Sequence, residues 1–289
     1  MSYPKLKKIR MAASAIKTKQ SQSKSNVELP TEKSVPVDYL GGYTLMIYGR
    51  EKIGKTSLAS NFPDTFCSMF EPGGASLRIY QKPINSWNDF LGYIDLLSNS
   101  KHNFKTVVID TGKIAYESCL DYICEEEGIT HPSDESYGKG WEKVRRELSA
   151  AITKLINSGL GIIIICHEKI GDITRSTNEV YNRIHPDLSK QAYTFFSAVI
   201  DTIGYYRYVG DSRILQIVGN EDITAGTRCE ENFLTVTGER IEAIPMGSSS
   251  EEAYKNLVNA FLNKQKTNGR SLLTRFSNSG SGIKIKVKK

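Results

Sequence analysis

The sequence predicts an α/β fold: a mostly parallel sheet flanked by helices, with a β-hairpin near its C-terminal end. Three observations lead there. Short apolar runs of strand length, "LMIY", "TVVID" and "GIIIIC", alternate with stretches of helical spacing. The runs are apolar at successive positions, as expected of strands buried on both faces. Two β-rich runs, "TIGYYRYV" and "RILQIV", are joined by the turn "GDS".

Taken in order, residues 1–38 read as a basic tail or linker ending in "VELPTEKSVPVDY". Leu45–Tyr48 is a buried strand, and Thr56–Asn61 opens a helix that the turn "FPD" stops. "TFCSMF" is a second strand, closed by Glu71-Pro72-Gly73-Gly74. "SWNDFLGYIDLLSNS" has helical spacing through Phe90, Ile94 and Leu97, with Ser86 as its N-cap. "TVVID" follows as the third strand, and the helix "KIAYESCLDYICEEEG" closes on Gly128. The loop "ITHPSDESYGKG" leads to a long helix, Trp141–Asn157, with apolar positions Val144, Leu148, Ile152 and Leu155. "GIIIIC" is the fourth strand. Beyond Lys169 the chain turns polar and irregular until "KQAYTFFSAVID", and "EEAYKNLVNAFLNKQ" is a last amphipathic helix.

Between the first strand and its helix stands Gly49-Arg50-Glu51-Lys52-Ile53-Gly54-Lys55-Thr56-Ser57, the spacing G-x-x-x-x-G-K-[ST]. Glycines at both ends let successive N–H groups converge on phosphate oxygens. Lys55 would reach the β/γ-phosphates of ATP and Thr56 would hold Mg²⁺. Asp110, ending the third strand, suits the opposite side of that ion. Many ATPases follow this aspartate with a water-activating glutamate, but Thr111 stands there. Glu71, at the tip of the second strand, is the candidate base instead. His167 and Glu168 close the fourth strand, where His167 can touch the terminal phosphate and pass its presence to the following loop.

That loop carries Lys169, Arg175, Tyr181 and Arg183, and "SYGKGWEKVRR" repeats the chemistry with Lys139 and Trp141. Basic and aromatic residues together fit single-stranded DNA, by phosphate pairing and base stacking. Arg228, in "DITAGTRCEENF", is either an arginine finger for a neighbouring nucleotide or a plain surface residue.

Net charge is +6, and it is concentrated at the two ends. Lys5–Lys33 holds eight Lys/Arg against two acids, and Lys264–Lys289 holds eight and no acid. Such ends suit a polyanion, and residues 264–289 read as a second basic tail. No signal peptide or membrane span is evident. The five cysteines, Cys67, Cys119, Cys124, Cys166 and Cys229, lack zinc-knuckle spacing and fit a reduced cytoplasmic protein.

"YGREKIGKTSLASNFP", "MFEPGG", "VVIDT", "YGKGWEKV", "IIICHEKIGD" and "AGTR", in this order, resemble phage-encoded RecA-like ATPases grouped with the single-strand annealing recombinases. The resemblance spans about residues 40–235. It implies a RecA-like ATPase core at 39–263 that binds ATP, Mg²⁺ and single-stranded DNA and assembles into a ring or filament. Annealing or strand exchange beside a single-strand binding protein, in a bacterial host cytoplasm, would be its setting. It carries phosphate and metal roles onto Gly49, Gly54, Lys55, Thr56 and Asp110, water activation onto Glu71, and nucleotide–DNA coupling onto His167. One departure is Phe70, where the pattern more usually has Asp before the Glu. A regulatory GTPase fits poorly, because "DTGK" puts Gly112 one place early and Asn263-Lys264 lacks its Asp. A nucleoside or small-molecule kinase, and an assembly protein that only switches on ATP, are the alternatives.

Overall fold

The strand Thr44–Gly49 (β1) is buried at all six positions because it has a parallel neighbour on either side. The computed structural model describes residues 29–174 and 180–274. The described residues from Val37 onward form one compact unit, and residues 29–36 belong to another. In the latter, residues 29–36 are exposed and carry no helix or strand.

After β1 come Lys55–Ala59 (α1), Thr65–Met69 (β2), Tyr80–Pro83 (β3), Trp87–Asn99 (α2), Thr106–Asp110 (β4), Gly112–Glu127 (α3) and Lys139–Asn157 (α4). Gly161–Thr174 (β5), Val180–Pro186 (β6), Lys190–Val199 (α5), Thr202–Val209 (β7) and Ser212–Gln216 (β8) follow. Gly226–Thr227 (β9), Ala243–Pro245 (β10), Ser250–Phe261 (α6) and Arg270–Thr274 (α7) complete the strands and α-helices of the described residues. The sheet order is β10-β8-β7-β1-β5-β4-β2-β3, with β6 on β5 and β9 on β7. Every pairing from β3 across to β7 is parallel, and β8 and β10 add antiparallel strands.

Each face of the sheet has its own core. One buries Phe90 and Ile94 of α2, Cys119 of α3, Leu148 and Leu155 of α4 and Phe196 of α5 against Val107, Ile109, Ile162 and Ile164. The other packs Leu58 of α1 and Leu257 and Phe261 of α6 on Ile47, Val108, Ile163 and Ile165. Adjacent residues of β4 and β5 thus enter opposite cores, which explains their unbroken apolarity. Ser86 caps α2 by accepting from Asp89 N–H, and Gly128 ends α3 at φ 65°. Four of the five free cysteines are buried and Cys229 is half-buried. Among the described residues no helix is long and apolar enough to cross a membrane.

The structure departs from the sequence reading in three places. The polar stretch after Lys169 is not irregular: β5 runs on to Thr174 and β6 returns antiparallel to it, from Val180↔Thr174 to Pro186↔Glu168. In this ribbon Ile184 packs against a core while Ile170 and Val180 are exposed, so it has no apolar run to betray it. The β7–β8 hairpin lies where the sequence put it, and β7 joins the parallel part of the sheet beside β1. β3 is an exposed four-residue edge strand that sequence periodicity does not mark. Finally, Lys264–Thr274 does not begin a tail. Leu272 and Leu273 pack against Val209, Ile214 and Ala243. The remaining expectations for the basic ends, at 1–28 and 275–289, lie outside the described residues.

Candidate functional site

The loop after β1 is shaped by what surrounds it. A Cβ on Gly49 would fall 2.1 Å from the Tyr206 carbonyl oxygen of β7, so only glycine permits this approach. Ile53 is buried in the α1-side core and pins the middle of the loop, while Arg50, Glu51 and Lys52 line its rim. Gly54 turns into α1 at φ 102°, a conformation that favours glycine.

Lys55 is buried, and its Nζ donates to the carbonyls of Gly49 and Arg50, both at 2.9 Å. Burial pulls its pKa down, against the upward pull of Asp110 and Glu71. Thr56 donates its hydroxyl to Asp110 Oδ2 at 2.6 Å. Asp110 is buried at the end of β4, and desolvation raises its pKa despite the Thr56 hydrogen bond. A hydroxyl and a carboxylate in contact beside the loop are hard oxygen donors of the kind Mg²⁺ takes, so these residues fit that ion.

Glu71 follows β2 and points at the same crevice. Its Oε1 lies 3.0 Å from Nε2 of His167, on β5. Gly54, Lys55, Thr56, Glu71, Asp110 and His167 line one cleft of about 510 Å³. Such a crevice at the carboxyl ends of parallel strands is where α/β sheets bind ligands. Glu168, next on β5, points away and accepts from the Tyr205 hydroxyl at 2.8 Å. Tyr205 in turn stacks on Tyr48, ring centroids 4.8 Å apart.

Past His167, the β5–β6 register puts Lys169 opposite His185 and Gly171 opposite Arg183, with Tyr181 two residues before Arg183. Directly opposed residues share a face, so Lys169, Tyr181, Arg183 and His185 stand on one side of the ribbon. Arg175 lies outside the described residues. Lys139 opens α4, and Trp141 lines a separate groove with Tyr116, Arg145, Lys190 and Phe195, its ring edge-on to His131. The two basic-aromatic sets therefore occupy different elements.

Arg228 donates from Nη1 to Ala198 O and from Nη2 to Ser197 O, both at 3.0 Å, capping the end of α5. Action on a neighbouring nucleotide would require it to leave those carbonyls. Sequence reading missed a brace behind His167. Asp187 N–H donates to the His167 carbonyl at 2.8 Å, and Lys113 Nζ donates to Asp187 Oδ2 at 2.8 Å. Lys113 and Asp187 are 74 residues apart, beyond the reach of any local pattern.

Loop, buried lysine, Thr56–Asp110 pair and parallel sheet define the class: a nucleotide-binding domain of the P-loop NTPase type. A family model described as "AAA domain" matches residues 41–229, and the chain belongs to that family. No curated protein matches it. Among solved structures it is similar to a KaiC-like protein from the hyperthermophilic archaeon Pyrococcus horikoshii OT3. That match has 15% identity over 73% of this chain and 88% of the other, with a TM-score of 0.40.

Proposed function

We propose that this protein is an ATPase whose nucleotide state sets its grip on single-stranded DNA, serving recombination by annealing or strand exchange. One observation carries the reading. β5 delivers His167 to the phosphate cleft and continues without a break into a ribbon with Lys169, Tyr181, Arg183 and His185 on one face.

The chain's own groups divide the work. Backbone N–H groups of Gly49–Ser57 and the Lys55 ammonium bind the phosphates. Thr56 and Asp110 would hold Mg²⁺, which supplies charge neutralisation at the phosphates when bound. Glu71 orients the attacking water and takes its proton on a carboxylate oxygen. The same carboxylate bonds His167, so any shift of Glu71 toward a terminal phosphate alters the hydrogen bond at the ribbon's root. The ribbon binds phosphates through Lys169 and Arg183 and stacks a base on Tyr181, a mode indifferent to sequence. Lys139 and Trp141 add a second contact, and copies of the chain assemble into a ring or filament along the strand.

The test is steady-state ATP hydrolysis with and without single-stranded DNA, with Lys55→Ala as blank. A Lys55-dependent rate raised by single strands more than by duplex supports the reading. A Lys55-dependent rate indifferent to DNA would sink it and direct attention to small phosphate acceptors.

A further inference from the structure

The phosphate cleft has a second side. Glu71, Asp110 and His167 stand on strands to one side of β1, so a terminal phosphate faces them. A nucleotide held by Gly49–Ser57 with that polarity must send its nucleoside the other way, toward β7 and β8.

Two side chains wait there. The Tyr206 carbonyl of β7 lies against Gly49, and Tyr208 is two residues further along the strand, on the same face as Tyr206 and α1. Tyr208 is 46% exposed, so its ring has a face open to a ligand. Directly opposite it on β8 is Arg213, which therefore shares its face. Arg213 donates from Nε and Nη2 to the Gly247 carbonyl, at 3.2 and 3.0 Å. Its Nη1 lies 3.5 Å from where a Cβ on Gly54 would sit. One carbonyl thus holds the guanidinium still while its other edge faces the last glycine of the loop. Beneath the pair, the Tyr206 hydroxyl is buried without a hydrogen-bond partner among the described residues.

We propose that Tyr208 and Arg213 form the nucleoside end of the nucleotide site, the base stacking on the Tyr208 ring and the Arg213 guanidinium bonding the sugar side. This rests on reading Gly49–Ser57 as a phosphate cradle. An aromatic face is what a flat nucleobase stacks on without needing a specific hydrogen-bond pattern, and a guanidinium donates to the sugar's oxygens. A base taken this way is recognised as a ring, so the site accepts ATP and GTP alike.

The experiment measures dissociation constants for Mg-ATP and for Mg-tripolyphosphate, which has the phosphates and no nucleoside. Tyr208→Ala and Arg213→Gln are expected to weaken ATP about tenfold each, and to leave tripolyphosphate within about twofold. Tyr208→Phe keeps the ring and is expected to bind ATP as the parent does. Unchanged ATP binding in both variants overturns the proposal. So does a parallel loss of tripolyphosphate, which would make the pair a brace for the loop. Lys55→Ala is expected to lose both ligands; undiminished binding of both would overturn the cradle reading, and the nucleoside end with it. Tyr208 is a surface side chain, so its variants remain informative even if Arg213→Gln fails to fold.

Discussion

Glu71 and His167 meet at 3.0 Å across the tips of two strands that do not touch, since β4 lies between β2 and β5. The contact bridges the crevice directly above Asp110. On the proposed reading it makes one side chain answerable both to the terminal phosphate and to the strand that leaves the site.

Replacing Glu71 with Gln keeps a hydrogen-bonding group of the same size and removes the base. ATP affinity is expected to stay within about twofold while turnover falls by about a hundredfold or more, the usual range for losing a general base. Unchanged turnover in single-turnover assays would retire Glu71 from this role. His167→Ala should lower the stimulation by single strands by a larger factor than it lowers basal hydrolysis, because it removes both the link to the ribbon and a partner of Glu71.

Asp110 is expected to show a conflict between stability and function. Burial raises its folded pKa above the ordinary carboxylate value, so the ionised form costs stability at neutral pH, and that cost is relieved as pH falls through the folded pKa. Asp110→Asn removes the charge and can still accept from Thr56. Its melting temperature without nucleotide should rise, while Mg²⁺-dependent nucleotide binding falls. A lower melting temperature would contradict this account of the carboxylate.

Gly49→Ala tests the fit between loop and β7. The added carbon would lie 2.1 Å from a backbone oxygen that cannot rotate away, so the strands must part. Overpacking of this kind costs about 1–3 kcal/mol, and here the upper end is expected in chemical denaturation. A variant as stable as the parent would show that β7 yields easily.

The basic end offers a cleaner truncation than its charge pattern suggests. Removing 275–289 deletes Arg275, Lys284, Lys286, Lys288 and Lys289 and spares Leu272 and Leu273, which the β8–β10 edge needs. The salt dependence of DNA binding should flatten while the melting temperature holds. An unaltered slope would remove this segment from the DNA interface. Truncation at 264 should instead lower stability.

What the sequence revealed and concealed follows from where each element sits. β1, β4 and the first half of β5 are apolar at consecutive positions because both faces are covered, and α2 and α3 carry their caps, Ser86 and Gly128, in plain view. The P-loop spacing is local and was legible to the residue. β6 was hidden because it sends Ile184 to a core but leaves Val180 exposed, and β3 because an exposed edge of four residues leaves no period to read. Lys264–Thr274 misled because its charges outnumber the two leucines that anchor it. Partnerships such as Lys113–Asp187 and Tyr208–Arg213 arise from sheet order and register, which no short window contains.

β5 is held in two regimes. It is clasped by β1 from Ile162 to His167 on one side, and by β4 from Gly161 to Ile165 on the other. From Glu168 to Thr174 its ladder partner is β6. Mechanically it is a beam clamped along half its length, with an arm beyond that is propped at Ile184, whose backbone bonds Asp222 and Thr224. Past that prop, opposite Ile170, the arm runs on for about 13 Å to Thr174 at a rise of about 3.3 Å per residue. A tilt of about 5° at the prop would swing the far end by about 1 Å over that reach. That is enough to make or break a phosphate contact, so the stiffness of the arm sets how much of a sub-ångström event at Glu71 is delivered at its tip.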